Sequence, residues 1–192
     1  MRAASGRELA EAVAGASGPL LLRGGGTRTL GPAVGEVLET GGLSGVELYE
    51  PGALTLVVRA GTPLAEVERV LAAERQRLAF EPPDLRGLLG REGVSTIGGV
   101  VAANASGPRR VQVGACRDAC LGVRFVDGSG TVIKNGGRVM KNVTGYDLVK
   151  LLAGSRGTLG VLTEVSFKVQ ALPEAEATLI VEGFGDEAGL SA

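Results

Sequence analysis

Residues 95–110, STIGGVVAANASGPRR, decide how this 192-residue chain is interpreted, because nearly all of their side chains are small. The stretch has adjacent glycines at 98 and 99, a short apolar run, and then Asn, Ala, Ser, Gly and Pro. Almost none of these side chains can take part in acid–base chemistry. The stretch is therefore either a flexible surface loop or a segment whose backbone lies against something large and flat.

The composition predicts a soluble cytoplasmic globule and excludes several classes of function. The net charge is −1 and the basic residues form no runs, which argues against a nucleic-acid partner. The apolar stretches are too short to span a bilayer, and residues 1–13 resemble an amphipathic helix more than a signal peptide. The chain has no histidine, so it can supply neither an imidazole base nor a histidine-ligated metal site. The pair Cys116 and Cys120 fits a reducing compartment and is interpreted as structural.

The hydrophobic pattern predicts an α+β fold of two lobes. Ser5 and Glu8 form a capping box for a first helix that Gly15 ends. Strands are expected at 20–22 and 54–59, and Thr62 is expected to cap the helix that follows Pro63. Together these elements, up to about residue 80, predict a small layered α/β lobe.

The chain changes character after the two prolines at 82 and 83. Asp84 is expected to cap a short helix, and residues 121–134 predict a hairpin around Asp127 and Gly128. A helix is expected with Leu148, Leu151 and Leu152 on one face, then strands at 160–170 and 177–183. The second lobe is thus expected to be mainly antiparallel. The proposed boundaries are 1–83 for the first lobe, 84–175 for the second, and 176–192 for a tail or the start of a further domain.

Glycine is in excess, with 32 residues that fall into clusters. The clusters are RGGGT at 23–27, TIGG to Gly107 at 96–107, and GSRGTLG at 154–160. Successive glycine amides can converge on phosphate oxygens without interference from Cβ atoms. None of the clusters has the spacing of a Rossmann fingerprint or a P-loop, and each alone is more often a turn than a site. Together they suit one long ligand such as a dinucleotide.

The three clusters, in this order, resemble the FAD-binding domain of the vanillyl-alcohol oxidase or p-cresol methylhydroxylase type. Within that superfamily, residues 45–84, 95–110 and 137–169 are similar to the FAD-binding subunit of bacterial glycolate oxidase. The segments FEPPD, VMKNVTGYD and GSRGTLGVL, in register, make the resemblance specific. It extends over about residues 9–169.

The resemblance implies FAD and a set of cofactor-binding residues, but no catalytic residue. Some members attach the flavin covalently, but this chain has no histidine and no matching cysteine site, so its FAD is expected to be non-covalent. Residues 24–27 would donate to the pyrophosphate, residues 101–105 would run beside the flavin, and residues 160–162 would pack at the adenine end. The small side chains at 95–110 would then leave room for the cofactor. The full set is Arg23, Gly24, Gly25, Gly26, Thr27, Pro82, Thr96, Ile97, Gly98, Gly99, Val101, Ala102, Ala103, Gly107, Gly154, Gly157, Gly160, Val161 and Leu162.

The sequence also departs from the related enzymes. Many of them have Glu where this chain has Arg156, and many continue into a cap domain that closes the substrate site. No general base is evident. Lys141 is an open candidate for a charge near the flavin, whereas Tyr146 and Asp147 are interpreted as the start of a helix. Arg109 and Arg110 are expected to be solvated or paired.

Three functions remain open at this stage. The first is an FAD-dependent oxidoreductase subunit that oxidises glycolate, a 2-hydroxy acid, to glyoxylate by hydride transfer to flavin. Its implied partners are a second flavin subunit and an iron–sulfur subunit, and it would reach a membrane only through that complex. The second is the FAD portion of a self-sufficient D-2-hydroxy-acid dehydrogenase of the D-lactate type. The third is a non-catalytic module that holds FAD for assembly.

Overall fold

The structure is a computed structural model that describes residues 1–28, 34–138 and 145–180. Its centre is a five-stranded antiparallel sheet with the order β3-β4-β8-β6-β7. The strands are β3 Val46–Glu50, β4 Thr55–Arg59, β6 Cys120–Val126, β7 Val132–Gly136 and β8 Val161–Lys168. In β4 and β8 nearly every residue is buried, polar Ser166 included, because layers cover both faces of the sheet.

Helices cover one face of this sheet and form the main hydrophobic core. They are α2 Leu64–Ala73, α4 Ile97–Ala102, α6 Cys116–Ala119 and α7 Leu148–Leu152. Leu64, Val67 and Leu71 of α2 face inward at helical spacing. The rings of Phe80 and Phe167 lie 5.8 Å apart within the core.

A smaller unit lies on the opposite face. It consists of α1 Gly6–Ala14 and two parallel strands, β1 Leu20–Arg23 and β2 Glu36–Glu39. Adjacent residues of a strand point to opposite faces, and accordingly Phe125 belongs to the main core while Val126 packs with Leu9 and Leu38 of the smaller unit. The sheet therefore separates two hydrophobic clusters.

Short elements complete the fold. The strand β5 Gln76–Arg77 pairs with β9 Gln170–Ala171. The helices α3 Arg86–Leu89 and α5 Arg110–Val113 flank the segment that leads into and out of α4, and a 3-10 turn spans Pro51–Ala53.

The expected α+β class with a mainly antiparallel sheet is confirmed. The start of α1 is also as predicted, since Ser5 Oγ accepts from the Glu8 amide and Gly15 follows the last turn. The hairpin β6–β7 forms around Asp127, whose Oδ1 accepts from the Ser129 and Thr131 amides. Asp84 Oδ1 accepts from the Arg86 amide at the start of α3, but Leu85 takes the cap position, without a side-chain bond.

Three local predictions are wrong. Thr62 does not cap α2: its buried hydroxyl donates to Arg59 O at 2.7 Å, and Pro63 takes the cap position without a side-chain bond. Leu151 is 56 % exposed, because α7 buries Val149 and Leu152 instead. Residues 177–180 form no strand.

The five-stranded sheet does not separate at the proposed boundary of residues 83 and 84. Strands β3 and β4 precede that boundary and β6, β7 and β8 follow it, yet β4 pairs with β8 along its whole length. Strands from both sides of the prolines thus share one sheet. The division of the chain into 1–83, 84–175 and 176–192 stays a proposal, and residues 181–192 lie outside the described part.

Candidate functional site

All three glycine clusters meet at one groove, formed by two adjoining cavities of about 330 and 80 Å³. The larger cavity alone falls in the usual range of ~300–1,000 Å³ for ligand sites. The wall shared by the two cavities comprises Leu22, Arg23, Gly24, Gly99, Ala102 and Arg156. The groove thus runs between the loop after β1, helix α4 and the loop before β8.

The loop at residues 24–27 offers hydrogen-bond donors. No backbone N–H of these four residues donates to any other group in the described part of the chain. Gly26 has φ +71°, a conformation that side chains disfavour. A Cβ on Gly25 would lie 1.5 Å from the carbonyl oxygen of Val94, so glycine is required there by the protein's own backbone.

Helix α4 approaches the sheet closely through its glycines. Thr96 caps the helix, and the Gly98 amide donates to Ala60 O at 2.6 Å. A Cβ on Gly98 would lie 2.9 Å from both Ala60 Cβ and Ala60 O. A Cβ on Gly99 would meet only Thr96 Oγ1, at 3.4 Å, among the described atoms within 4 Å. Gly98 therefore allows α4 to pack closely against Ala60, whereas the lack of a side chain at Gly99 widens the groove.

The loop at residues 154–160 is bound to the end of α4. The Gly154 amide donates to Val101 O at 3.0 Å, and the Arg156 amide donates to Ala102 O at 2.8 Å. Arg156 has φ +54°, an uncommon conformation for a residue with a side chain. A Cβ on Gly157 would lie 2.6 Å from Leu22 Cδ1, so this loop also packs on β1.

Arg28 connects three segments of the groove wall. Its guanidinium donates to Ser95 Oγ and, at 2.7 Å, to Pro83 O. It also donates to Thr27 Oγ1 at 3.3 Å. Burial lowers the pKa of Arg28, while the charge of Asp84 acts in the opposite direction. The side chain stays cationic, because an arginine pKa is far above neutral pH.

The groove carries positive charge although the whole chain has a net charge of −1. The described residues that line the two cavities include Arg23, Arg28 and Arg156, and none of them is Asp or Glu. Arg23 is paired with Glu39 at 2.5 Å, and this hydrogen bond lowers the pKa of the Glu39 carboxyl. Uncommitted amides and guanidinium groups together suit an anionic ligand.

Most residues expected at the cofactor line this groove. They are Arg23, Gly24, Gly25, Gly26, Thr27, Thr96, Gly98, Gly99, Ala102, Ala103, Gly157, Gly160, Val161 and Leu162.

Five of the expected residues line neither cavity. Ile97 and Val101 are fully buried in the main core, on the inner side of α4. Gly107 is buried, and its amide donates to Phe80 O. Pro82 lines a separate cavity near Leu78, and Gly154 is exposed after the end of α4. Sequence position alone does not distinguish the two sides of a short helix.

The structure adds groove residues that the sequence analysis did not select. They are Leu21, Leu22, Arg28, Thr40, Ala60, Ser155 and Arg156. Arg28 could have been found, because it directly follows the first glycine cluster. Thr40 and Ala60 carry no local signal and reach the groove only through strand pairing.

The remaining candidates lie away from the groove or outside the described residues. Lys141 lies outside that part of the chain. Asp147 accepts from the Lys150 amide as the cap of α7, as interpreted from the sequence, and Arg109 pairs with Glu81 at 3.0 Å.

The two cysteines are free and buried. A hydrogen bond with the neighbouring Cys120, together with burial, raises the pKa of Cys116. Cys116 therefore stays a thiol at neutral pH and is a poor nucleophile, in agreement with the structural interpretation. Within the described ranges, no group of three or more acidic or cysteine side chains could hold a metal ion.

The chain matches known proteins in sequence and in fold. The family model described as "FAD binding domain" matches residues 1–136. Glycolate oxidase subunit GlcE of Escherichia coli (strain K12) is 43 % identical over 84 % of this chain and 45 % of its own length. Glycolate oxidase subunit GlcD of Bacillus subtilis (strain 168) is 34 % identical over 84 % of this chain and 34 % of its own length. The chain thus spans less than half the length of these relatives.

The chain also matches more distant proteins. D-lactate dehydrogenase of Archaeoglobus fulgidus is 36 % identical over 79 % of this chain and 33 % of its own length. A solved structure of alkyldihydroxyacetonephosphate synthase superposes with a TM-score of 0.73 at 22 % identity, covering 91 % of this chain and 32 % of that one. This last likeness concerns the fold alone. By the extent of the family match, the chain belongs to the FAD-binding domain family of oxidoreductases.

Proposed function

We propose that this chain is the FAD-binding part of a glycolate oxidase, which oxidises glycolate to glyoxylate together with partner subunits. One observation carries the proposal: residues 24–27, whose amides have no partner in the described part of the chain, line a groove whose described lining contains three arginines and no carboxylate. Such a lining complements the diphosphate of a dinucleotide. The relatives named glycolate oxidase subunits support the substrate class.

The groove suggests how each part of FAD would be held. Residues 24–27 would donate to the diphosphate, with Gly99 leaving room for it. The apolar residues Val161 and Leu162 would pack at the adenine end, in the smaller cavity. Ala102 and Ala103 would leave space for the flavin side, where bound FAD supplies a two-electron acceptor for the hydride from C2 of a 2-hydroxy acid.

The chain's own residues are suited to binding rather than to proton transfer. Oxidation of a hydroxyl group needs a base within hydrogen-bond reach of its proton. The described lining of the groove contains no carboxylate or cysteine, and the chain has no histidine. We infer that the base and the carboxylate clamp come from outside the described groove, in keeping with the greater length of the relatives.

Attachment of FAD is proposed to be non-covalent. The chain offers no histidine, and its two cysteines are buried in the core away from the groove lining. Precipitation with acid should therefore release all of the flavin into the supernatant, which absorbance of the two fractions would measure. Flavin that stays with the pellet would contradict the proposal.

The same proposal includes a location in the cytoplasm. It also includes an assembly with a second flavin subunit and an iron–sulfur subunit. The first is supported by the two free cysteines, and the second by the subunit names of the relatives. Among the described residues no helix is both long and apolar enough to pass through a membrane.

Two alternative functions share the same groove. The likeness to D-lactate dehydrogenase favours a D-2-hydroxy-acid dehydrogenase of which this is the FAD portion. The absence of a base in the described lining would also suit a module that holds FAD for assembly. Reconstitution with candidate partner subunits distinguishes them by showing whether glycolate, D-lactate or neither is oxidised.

The first test is a visible absorption spectrum of the purified chain with and without added FAD. Bound flavin, retained through gel filtration, is the expected result. A chain that retains no FAD at saturating concentration would contradict the proposed site.

A further inference from the structure

Arg156 differs from the other two arginines of the groove in having no partner. Arg23 is paired with Glu39, and the guanidinium of Arg28 donates to Ser95, Thr27 and Pro83. The side chain of Arg156 makes no hydrogen bond or ion pair with any residue in the described ranges. Among the described residues it is thus the groove arginine whose guanidinium donors are all available to a ligand.

Arg156 belongs to the wall that the two cavities of the groove share. It lines the larger cavity, with the amides of residues 24–27, and the smaller one, with Val161 and Leu162. A ligand that passes from one cavity to the other would lie beside Arg156. In FAD bound as proposed above, the atoms at this point are those between the amide-bound phosphate and the adenine.

The backbone of Arg156 has a strained conformation. Its φ of +54° lies in the left-handed region, which is unfavourable for a residue with a Cβ. Glycine would adopt the same φ without that cost, and glycines occupy positive φ at the neighbouring positions 154 and 157. Folding alone therefore favours glycine at position 156, whereas a phosphate ligand favours arginine.

We propose that Arg156 binds the diphosphate of FAD directly, on its adenosine side, and supplies the charge that the neutral amides of residues 24–27 lack. This proposal rests on the proposed FAD site. It makes Arg156 a determinant of cofactor affinity and not of the fold.

The variants Arg156→Gln and Arg156→Gly test the two roles separately. A hydrogen bond to a charged group contributes about 1.5–3 kcal/mol, so both variants should bind FAD roughly 10- to 150-fold more weakly in a fluorescence titration. The FAD-free Arg156→Gly protein should melt at the same temperature as the wild type or higher, because the backbone strain is relieved. The matched control is Arg69→Gln, which removes the same charge from the exposed face of α2.

Competition with ADP identifies the part of the cofactor that Arg156 contacts. ADP has the adenosine and the diphosphate without the flavin, so its affinity should fall by the same factor as that of FAD. Unchanged FAD affinity in Arg156→Gln, or a loss equal to that of Arg69→Gln, would overturn the inference. Loss for FAD but not for ADP would also overturn it, by moving Arg156 to the flavin side. A wild-type chain that binds no FAD would instead contradict the proposed function itself.

Discussion

At the scale of single residues, the glycines of the groove fall into two physical groups. Gly25 and Gly98 are glycine because a Cβ would strike the backbone of Val94 or Ala60. A Cβ added to Gly99 would have only Thr96 Oγ1 within 4 Å among the described atoms, and Gly99 lines both cavities. Of these three glycines, Gly99 alone is therefore explained by the space that a ligand needs and not by the packing of the fold.

Replacement of Gly99 by alanine should weaken FAD binding without weakening the fold. A methyl group in a filled site costs about 1–3 kcal/mol, so the dissociation constant for FAD should rise roughly 5- to 150-fold in a fluorescence titration. The FAD-free protein should be as stable as the wild type or more so, because alanine favours the helix by about 0.5–1 kcal/mol.

The matched control for this prediction is Gly87→Ala. Gly87 also lies in a helix, α3, with nothing within 4 Å of an added Cβ, and it lines neither cavity. Equal FAD affinities in the two variants would show that the groove is not the cofactor site. Gly25→Val is a poor test, because a failure to fold would also remove FAD.

At the scale of elements, the β6–β7 hairpin joins the two hydrophobic clusters through its loop. Gly130 has φ +84°, and a Cβ there would lie 2.7 Å from Ala14 Cβ and 2.8 Å from Ala10 O of α1. Gly130→Ala should therefore lower the free energy of unfolding by about 2–4 kcal/mol, from left-handed strain together with displacement of α1. Urea denaturation measures this difference.

Gly128→Ala is the control in the same loop. Gly128 has no positive φ, and an added Cβ would have nothing within 4 Å. We expect its unfolding free energy to stay within ~0.5 kcal/mol of the wild type. Similar losses in both variants would mean that the hairpin loop, and not its contact with α1, is sensitive to substitution.

At the scale of the whole molecule, the described lining of the groove offers hydrogen-bond donors to a ligand but contains no carboxylate or cysteine that could act as a base. FAD bound to the folded state alone should stabilise the chain by about 2.7 kcal/mol at a concentration one hundred times its dissociation constant. The isolated chain loaded with FAD should nevertheless oxidise neither glycolate nor D-lactate, because its described lining holds no base. Anaerobic addition of each acid checks this: rapid bleaching of the flavin band by the chain alone would reveal a complete active site.

Much of the architecture is determined by local sequence. The capping box at Ser5 and Glu8, the β6–β7 hairpin around Asp127 and the cap of α7 at Asp147 all depend on bonds between residues two to four positions apart. Such bonds leave a signal in a short window of sequence. The three glycine clusters likewise indicate one long ligand through their composition and order along the chain.

Only the tertiary structure decides which side of each cluster is open. The space at Gly25 depends on Val94, at Gly98 on Ala60 and at Gly157 on Leu22, all distant in sequence. The pairing of β4 with β8 brings residues 55–59 beside residues 164–168 across the predicted lobe boundary. Strand pairing and close packing bring together residues that are far apart in the sequence. For that reason only the folded chain shows that Val101 is buried in the core and that Arg156 lines the groove.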